Sequence, residues 1–566
     1  MPKLANIRQT FRSLLVRYCS TFSYLGLVTG TLCFAASLTP SLLPRPFVLQ
    51  GAVSGVAFAV GYGIGKLIVL AWMFFQIPLP GARVQRVFKW SMALVALIIA
   101  VTFLSQTTQW QNSIRLLMDM QPEETAYPLR VSGIALVFAF VVILIARCIQ
   151  GLWRMVNRRI ARFVPPRVSF VVSTLMLAAL FVLVLNKVFA RMLLDAADRV
   201  FLRLDSMIDE DETIPADPMT PGSAASLIAW DTIGRRGKNF IAHGPTRESI
   251  ETFLGRPAKE PIRVYAGYRS SEDVEERARL AFDELKRVGG FERSVLIVAT
   301  PTGTGWLDEN AVDTVEYLHA GDTAMVTMGY SYLPSWVTLL VDPQRSRASA
   351  RALFAHVYGY WKTLPRAGRP KLYLHGLSLG SLGAEATTDL FTLIGDPIHG
   401  GVFSGPPFPS TQWQQITRER NPGSPSWLPR FQDGSIVRFT ARRNALGDFG
   451  NHWGPIRFVY IQHASDSMVF FSPDLFHTEP EWLRGQRGPD VSPSLRWYPI
   501  VTGLQITFDL ATAMNVPLGY GHNYDAGSYI DAWIAVTDPP HWSGDETRRL
   551  KQKFSGPSRG PSLASP

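Results

Sequence analysis

Cysteine is scarce in this sequence and is confined to one part of it. The 566 residues include three cysteines, all in the first third of the chain: Cys19, Cys33 and Cys148. The remaining two thirds therefore lack the thiols needed for a disulfide framework, a CxxC redox pair or a cysteine zinc site. A domain without cysteine is also compatible with an oxidising compartment.

Acidic residues are equally scarce in the same region. Residues 1–190 contain eighteen Lys and Arg but only three acids, and the whole chain carries a formal charge of +11. The excess of positive charge thus belongs to the first third, and the rest is slightly negative. Because these bases flank apolar runs, they indicate membrane insertion and argue against a nucleic-acid-binding protein.

Long apolar stretches occupy the first third. Five of them approach the length of about 20 residues that a membrane-spanning helix needs. They predict an all-α transmembrane domain over 1–190, with spans at 23–41, 48–70, 88–105, 131–150 and 168–186.

The distribution of Lys and Arg predicts the orientation of these spans. The N-terminus and the loops at 78–87 and 151–167 are basic, whereas the segment 106–130 holds all three acids. Basic loops stay in the cytoplasm. With the N-terminus in the cytoplasm, five crossings place the residues after Lys187 outside the cytoplasm. Lys66 interrupts the second span, and a segment that re-entered the membrane there would reverse this result.

The pattern changes after a linker predicted over 191–260. Short apolar runs rich in β-branched residues alternate with helix-like segments at 272–288, 345–364 and 381–393, which predicts a mostly parallel sheet covered by helices. The predicted domain covers 261–542, and a Ser- and Pro-rich disordered tail follows over 543–566. The predicted strands are 262–266, 294–300, 323–328, 371–375, 400–403 and 457–462.

One motif in this domain carries chemistry. An apolar strand leads into Gly376-Leu-Ser378-Leu-Gly380, and a helix-like segment follows. Glycines flank the serine because a sharp turn between strand and helix leaves no room for side chains. In this context the motif predicts that Ser378 is a nucleophile and not part of an ordinary Gly-rich turn.

A serine nucleophile needs a base, and the base needs an acid that orients it. Where the catalytic serine lies on such a strand–turn–helix motif, the acid follows it in the chain and the histidine follows the acid. Asp466 is the best candidate for the acid because it follows a strong strand, where a loop leaves the sheet. Asp448 and Asp474 are weaker alternatives.

Three histidines follow Asp466, namely His477, His522 and His541. His522 lies in a Gly-rich loop that precedes a helix-like segment, and such a loop can reach towards the serine. We therefore expect His522 to be the base. His463 precedes the acid and is expected to support the site or simply to end a strand.

Two backbone N–H groups are expected to form an oxyanion hole. One is that of Leu379, the residue after the nucleophile. The other comes from the loop after the strand at 294–300, where Thr302, Gly303 and Thr304 are candidates. Sequence alone does not choose among these three.

The chain resembles a bacterial family of membrane-anchored α/β-hydrolases with a multi-span N-terminal domain. The resemblance rests on Ser37-Leu-Thr-Pro-Ser-Leu-Leu-Pro-Arg45 in the apolar third. In the second part it rests on His375-Gly-Leu-Ser-Leu-Gly-Ser381, Ser404-Gly-Pro-Pro407, Gln462-His-Ala-Ser-Asp466 and Gly521-His-Asn-Tyr524. It implies an α/β-hydrolase fold with Ser378, Asp466 and His522 as the catalytic positions, and it implies no particular substrate.

These observations predict a serine hydrolase that cleaves a carboxylic ester through an acyl-enzyme, with no cofactor or metal. The expected partners are the lipid bilayer and a lipidic or small-molecule ester. The expected location is a bacterial inner membrane, with the catalytic domain on the periplasmic side. Two alternatives stay open, an acyltransferase with the same triad and a non-catalytic membrane protein whose hydrolase-like domain binds a ligand.

Overall fold

A computed structural model describes residues 22–78, 81–185, 213–388, 395–450 and 452–556, with side chains omitted at 181–185. The predicted N-terminal basic segment, most of the linker's first half and the end of the tail lie outside these residues. The chain divides into two compact units. The helical unit contains the described residues up to Phe181 together with Ser472–Leu483 and Val491–Thr512, and the sheet unit contains the remainder.

Nineteen α-helices are labelled here in chain order. The first five belong to the apolar third: α1 (Tyr24–Ser37), α2 (Phe47–Phe74), α3 (Ala82–Leu117), α4 (Pro128–Ile160) and α5 (Pro166–Leu185). The others are α6 (Trp230–Ile233), α7 (Arg235–Ala242), α8 (Arg247–Leu254), α9 (Val274–Arg287), α10 (Glu309–Leu318), α11 (Ser335–Val341), α12 (Gln344–Trp361), α13 (Leu379–Glu385), α14 (Thr411–Arg418), α15 (Ser467–Phe470), α16 (Glu481–Arg484), α17 (Val501–Leu510), α18 (Ala526–Thr537) and α19 (Gly544–Lys553).

The five helices of the apolar third coincide with the five predicted stretches. Three of them, α2, α3 and α4, are long and apolar enough to cross a membrane. The apolar parts of α1 and α5 are shorter, and α1 has only 14 residues. At a rise of about 1.5 Å per residue, a helix of that length falls short of a hydrocarbon core about 30 Å thick.

The helical unit also includes two segments from far along the chain. The sequence assigns residues 472–483 and 491–512 to the predicted domain at 261–542, but both group with the membrane helices. On α17, Gln505 Nε2 donates to the backbone oxygens of Ser37, at 3.1 Å, and Thr39, at 2.8 Å. An ion pair of 2.7 Å between Arg45 and Asp509 also joins α17 to the segment between α1 and α2. These contacts show why α17 belongs to the helical unit.

The sheet unit is built on seven parallel strands in the order β1-β3-β2-β4-β5-β7-β6. Six of the seven match predicted strands, and the sequence missed only β6. Residues of β1, β2 and β3 are buried throughout, because helices cover both faces of a parallel sheet. The strands are β1 (Ile262–Ala266), β2 (Val295–Thr300), β3 (Thr323–Met328), β4 (Lys371–Leu377), β5 (Gly400–Ser404), β6 (Val437–Thr440) and β7 (Arg457–Ile461).

Two predicted irregular segments contain helices. The described half of the linker holds α6, α7 and α8, and the predicted disordered tail begins with α19. Ser543 caps α19, since its side chain accepts from the Glu546 N–H while Glu546 accepts from the Ser543 N–H. This capping box, together with burial of Leu550, stabilises a helix that composition alone did not indicate.

Candidate active site

Ser378 sits on the sharp turn between β4 and α13. Its backbone adopts φ 58° and ψ −125°, a conformation that residues with a side chain rarely take. A Cβ on Gly376 would lie 2.3 Å from the carbonyl carbon of Gly380, and one on Gly380 would lie 2.1 Å from the oxygen of Thr300. Both glycines are therefore required by the close approach of backbone on either side of the serine.

The central position of β4 places this turn at the carboxyl ends of the strands. β4 lies between β2 and β5, and the Ser378 N–H donates to the Ser404 oxygen at the end of β5, at 3.0 Å. In an open parallel sheet this edge is where ligands bind. The local backbone thus holds Ser378 where loops from neighbouring strands converge.

His522 and Asp466 form a buried pair. Their Nδ1 and Oδ2 atoms lie 2.7 Å apart, and each side chain is at most 5% exposed. Because a carboxylate only accepts, Nδ1 carries the proton and donates it to this hydrogen bond. The Asp466 carboxylate is itself oriented, since Oδ1 accepts from the Met468 N–H at 2.8 Å at the start of α15.

Contacts with the residue after β5 and with two neighbouring loops hold His522 in place. A Cβ on Gly405, the residue after Ser404, would lie 2.4 Å from His522 Cε1, so the imidazole rests against this glycine. The loop is held at two further points. The His522 N–H donates to the Ala513 oxygen at 2.9 Å, and the Gly521 N–H donates to Ser465 Oγ at 2.9 Å. Ser465 directly precedes the acid, so one side chain links the loops of acid and histidine.

Ser378 Oγ and His522 Nε2 are buried and have no hydrogen-bond partner among the described residues. The hydrogen bond between serine and base is therefore not formed in this structure. A buried polar atom without a partner costs about 1–3 kcal/mol. In catalytic sites without substrate, such hydrogen bonds are often long and tighten when substrate binds.

The alternative residues Asp448, Asp474 and His477 have other partners. Asp448 contacts Arg443 at 3.1 Å and Arg430 at 3.4 Å, and the Arg443 hydrogen bond lowers its pKa. Asp474 and His477 are largely exposed and face each other at 3.7 Å.

The remaining two histidines also take no part in the pair. His541 is exposed and has a positive φ of 59°. His463 stacks on the Tyr524 ring with centroids 4.5 Å apart, and its Nδ1 bonds to the Gly521 oxygen at 2.9 Å. It therefore supports the His522 loop rather than pairing with Asp466.

The predicted oxyanion donors differ in whether their backbone N–H groups already donate a hydrogen bond. Leu379 is the first residue of α13, so its N–H belongs to the first turn of the helix, where amides lack intrahelical acceptors. In the β2 loop, the Thr302 N–H donates to the Trp306 oxygen at 2.9 Å and the Gly303 N–H donates to Ser335 Oγ at 3.0 Å. No partner is recorded for the Thr304 N–H within the described part of the chain.

Tyr524 is a member of the site that sequence reasoning missed. Its hydroxyl donates to Asp466 Oδ2 at 2.6 Å, the same oxygen that accepts from His522. Burial and the adjacent Asp466 charge raise the pKa of Tyr524 well above its ordinary value, so the phenol remains a donor. The available signal was its place in Gly521-His-Asn-Tyr524, two residues after the histidine.

A second buried network lies beside the serine turn. The Tyr529 hydroxyl, on α18, bonds to Ser404 Oγ at 2.7 Å and also to Asp308. Burial, followed by the Glu309 charge, raises the pKa of Asp308 to about 8. Asp308 also caps α10 by accepting from the Asn310 N–H at 3.0 Å. This network supports the segment that follows the Thr302–Trp306 loop.

Among the described residues, no three His, Cys, Asp or Glu side chains converge so as to hold a metal ion. The site instead consists of a serine on a strained turn, a histidine with one free ring nitrogen, and a carboxylate fixed by three donors. Chemically, this arrangement supports proton transfer from serine to histidine and attack by the serine oxygen.

Comparison with known families agrees with this geometry. Residues 262–550 match the alpha/beta-hydrolase family, and residues 38–245 match the N-terminus described for the same family. No curated protein and no solved structure matches the chain in these comparisons. The two family matches together cover most of the chain, including the helices of the apolar third. The chain therefore belongs to the α/β-hydrolase family, with a hydrolase domain on a seven-stranded parallel sheet and an N-terminal helical region.

Proposed function

We propose that this protein is a membrane-anchored serine hydrolase that cleaves carboxylic esters. Ser378 is the nucleophile, His522 the general base and Asp466 the residue that orients the base. The observation that carries this proposal is the hydrogen bond of 2.7 Å between His522 and Asp466 beside the Ser378 turn. The strained backbone of Ser378 supports it independently.

The reaction proceeds through an acyl-enzyme. His522 Nε2 takes the Ser378 proton as Oγ attacks the ester carbonyl carbon, and the negative charge develops on the carbonyl oxygen. The Leu379 N–H and an N–H of the loop 302–304 stabilise that oxyanion. Collapse breaks the ester bond, and His522 returns the proton to the leaving alcohol. Water, deprotonated by His522, then attacks the acyl-enzyme carbonyl carbon, and His522 returns that proton to Ser378 Oγ as the acid is released.

The orientation of the histidine supports catalysis over ligand binding by an inert domain. Asp466 accepts from His522 Nδ1, from the Tyr524 hydroxyl and from the Met468 N–H, so the carboxylate holds the ring in one orientation. His522 Nε2 is left without a partner among the described residues and can accept a proton from Ser378 Oγ. The full arrangement is useful when a proton must move.

The charges and the packing within the helical unit support a proposed location for the hydrolase domain. Basic loops at 78–87 and 151–167 mark the cytoplasmic end of the helices. At the opposite end, Ser113 Oγ on α3 lies 2.8 Å from Ser492 Oγ, and Arg45 pairs with Asp509. The segment 491–512, whose chain continues directly to His522, thus packs at the end assigned to the outside. We propose an extracytoplasmic hydrolase domain acting on a lipidic or envelope ester.

Covalent labelling tests the nucleophile. Full-length protein in detergent is treated with a fluorophosphonate probe, and the modified peptide is identified by mass spectrometry. We expect modification at Ser378, its loss in Ser378→Ala and its retention in Ser381→Ala, because Ser381 is a buried serine three residues away. Labelling at another serine, or none in folded wild type, would contradict the assignment.

Reporter fusions after residue 200 test the location. Alkaline phosphatase fused there should be active and green fluorescent protein exported through Sec should be dark. The opposite pair of results would place the hydrolase domain in the cytoplasm and remove envelope esters as substrates, while leaving the serine chemistry in place.

A further inference from the structure

A cavity of about 450 Å³ lies among the membrane helices of the helical unit, and none of the residues proposed for catalysis lines it. It is lined by α2, α4 and one residue of α5. Most of its wall is aliphatic or aromatic, but Lys66, Arg147 and Gln150 also line it. A volume of this size falls within the usual range for small-molecule sites, about 300–1,000 Å³.

The charged side chain of Lys66 is unusual in this largely apolar wall. It lies within α2, one of the helices apolar enough to cross a membrane, and its Nζ donates to Gln150 Oε1 on α4 at 3.3 Å. Among the described residues, no carboxylate lines the cavity. The described apolar third contains only three acids, all between residues 119 and 124, at the far ends of α3 and α4. A lysine held among apolar helices is costly unless an anion or water solvates it.

The position of the cavity along the helices identifies the side of the membrane. Lys66 and Gln150 lie towards the C-terminal ends of α2 and α4, next to the basic segments at 83–89 and 154–167. By the distribution of Lys and Arg this is the cytoplasmic end, where anionic lipid headgroups are concentrated. Basic pockets between helices on this side bind such headgroups.

We propose that this cavity binds an anionic phospholipid. Its phosphate is held near Lys66 and Arg147, and an acyl chain lies against apolar residues of the wall such as Leu70 and Val142. A zwitterionic lipid offers the same chains but carries a compensating cation, so the two bases select against it. The lining includes none of the proposed catalytic residues, and the proposal does not require that the protein be a hydrolase.

Gly63 allows the cavity itself to be tested. It lines the wall, and a Cβ built on it meets no atom within 4 Å, so a larger side chain enters open space. Gly63→Leu should fill part of the acyl-chain volume without disturbing helix packing. Lys66→Gln removes the charge while keeping a polar side chain. Lys89→Gln is the matched control, because Lys89 is an exposed base near the same end that does not line the cavity.

The experiment measures lipid retained by full-length protein. Native mass spectrometry is used to titrate detergent-solubilised protein with phosphatidylglycerol and with phosphatidylcholine of identical chains. We expect wild type to bind phosphatidylglycerol more tightly than phosphatidylcholine. Lys66→Gln should lower the affinity for phosphatidylglycerol by about fivefold, which is the contribution of one base near an anionic headgroup. Gly63→Leu should lower the affinity for both lipids. Lys89→Gln should bind as wild type.

Equal binding of the two lipids by wild type would overturn the proposal. So would phosphatidylglycerol binding that Lys66→Gln leaves unchanged, or that Lys89→Gln weakens as much. Repeating the titration in Ser378→Ala separates this site from the proposed reaction, since the same lipid preference is expected in a protein that hydrolyses nothing. Melting temperatures of all variants confirm that the helices remain folded.

Discussion

Arg45 Nε lies 2.7 Å from Asp509 Oδ1 although 464 positions separate the two residues, and both side chains are fully buried. Arg45 also donates from Nη1 to Gln50 Oε1 at 3.2 Å, and its N–H donates to Gln111 Oε1 at 2.9 Å. The pair therefore lies in a polar cluster inside the helical unit. Such a cluster fixes one arrangement of α17 against the N-terminal helices.

Removing one charge of this pair should strongly destabilise the helical unit. Asp509→Asn leaves Arg45 buried without its counter-ion, which costs about 3–5 kcal/mol. We expect the melting temperature in detergent to fall by at least about 5 °C. The double variant Arg45→Gln with Asp509→Asn should lose less, because no isolated charge remains. Arg115→Gln is the control, since the Arg115–Glu123 pair is partly exposed. A single variant as stable as this control would show that the pair contributes nothing.

The hydrolase domain should not survive removal of the membrane helices. A chain that begins at residue 213 keeps Ser378, Asp466 and His522 but loses the partners of Gln505 and Asp509. The segment 491–512 would then expose apolar residues and an unpaired carboxylate, so we expect aggregation or an inactive product. Size-exclusion chromatography and probe labelling measure this. A soluble, monomeric fragment that labels at Ser378 would contradict the expectation.

Tyr524 should act as a positioning residue for the triad. Tyr524→Phe removes one donor from Asp466 Oδ2 and leaves the His522 contact in place. A hydrogen bond to a charged group contributes about 1.5–3 kcal/mol. If this hydrogen bond stabilises the transition state by that amount, its loss lowers kcat/KM by about tenfold or more, with kcat changing more than KM. Tyr460→Phe is the matched control, because Tyr460 is a buried tyrosine that bonds instead to Glu385. Equal losses in both variants would point to a structural effect.

Asp308 should make stability depend on pH. Its ordinary pKa is 3.8, and burial raises it to about 8 in the folded protein. Because the folded state binds the proton more tightly, the stabilising contribution is complete below about pH 4 and is lost as pH rises through about 8. Wild type should therefore lose more melting temperature between pH 5 and pH 9 than Asp308→Asn, which keeps a residue that caps α10 well. Parallel curves for the two proteins would contradict this.

Much of the sheet could be predicted because its strands are short runs of buried β-branched and apolar residues. β6 was missed because its buried Arg438 looks like a surface residue in sequence. In the structure, that guanidinium lies 4.0 Å from the Trp453 ring centroid and donates to backbone oxygens such as that of His452, at 2.7 Å. Such compensation depends on residues that come together only in the fold.

Some features of the site could not be predicted from the sequence for a similar reason. The preference for Asp466 over Asp448 rests on its position after a strand, and the preference for His522 rests on chain order. The choice among Thr302, Gly303 and Thr304 depends on where backbone amides point, which no residue pattern encodes. Residues 491–512 lie within the family match at 262–550 but group with the helical unit, which the sequence did not predict. An apolar helix face has the same periodicity whether it packs on a sheet or on membrane helices.

The central claim is that Ser378 supplies the nucleophile for ester hydrolysis. The direct measurement is the steady-state hydrolysis of a chromogenic carboxylic ester by full-length protein in detergent, comparing wild type with Ser378→Ala and Ser381→Ala at matched melting temperatures. We predict that Ser378→Ala lowers kcat by a factor of about 10⁴ or more, while Ser381→Ala remains within about threefold of wild type. A folded Ser378→Ala protein that keeps more than about a tenth of the wild-type rate would contradict the account.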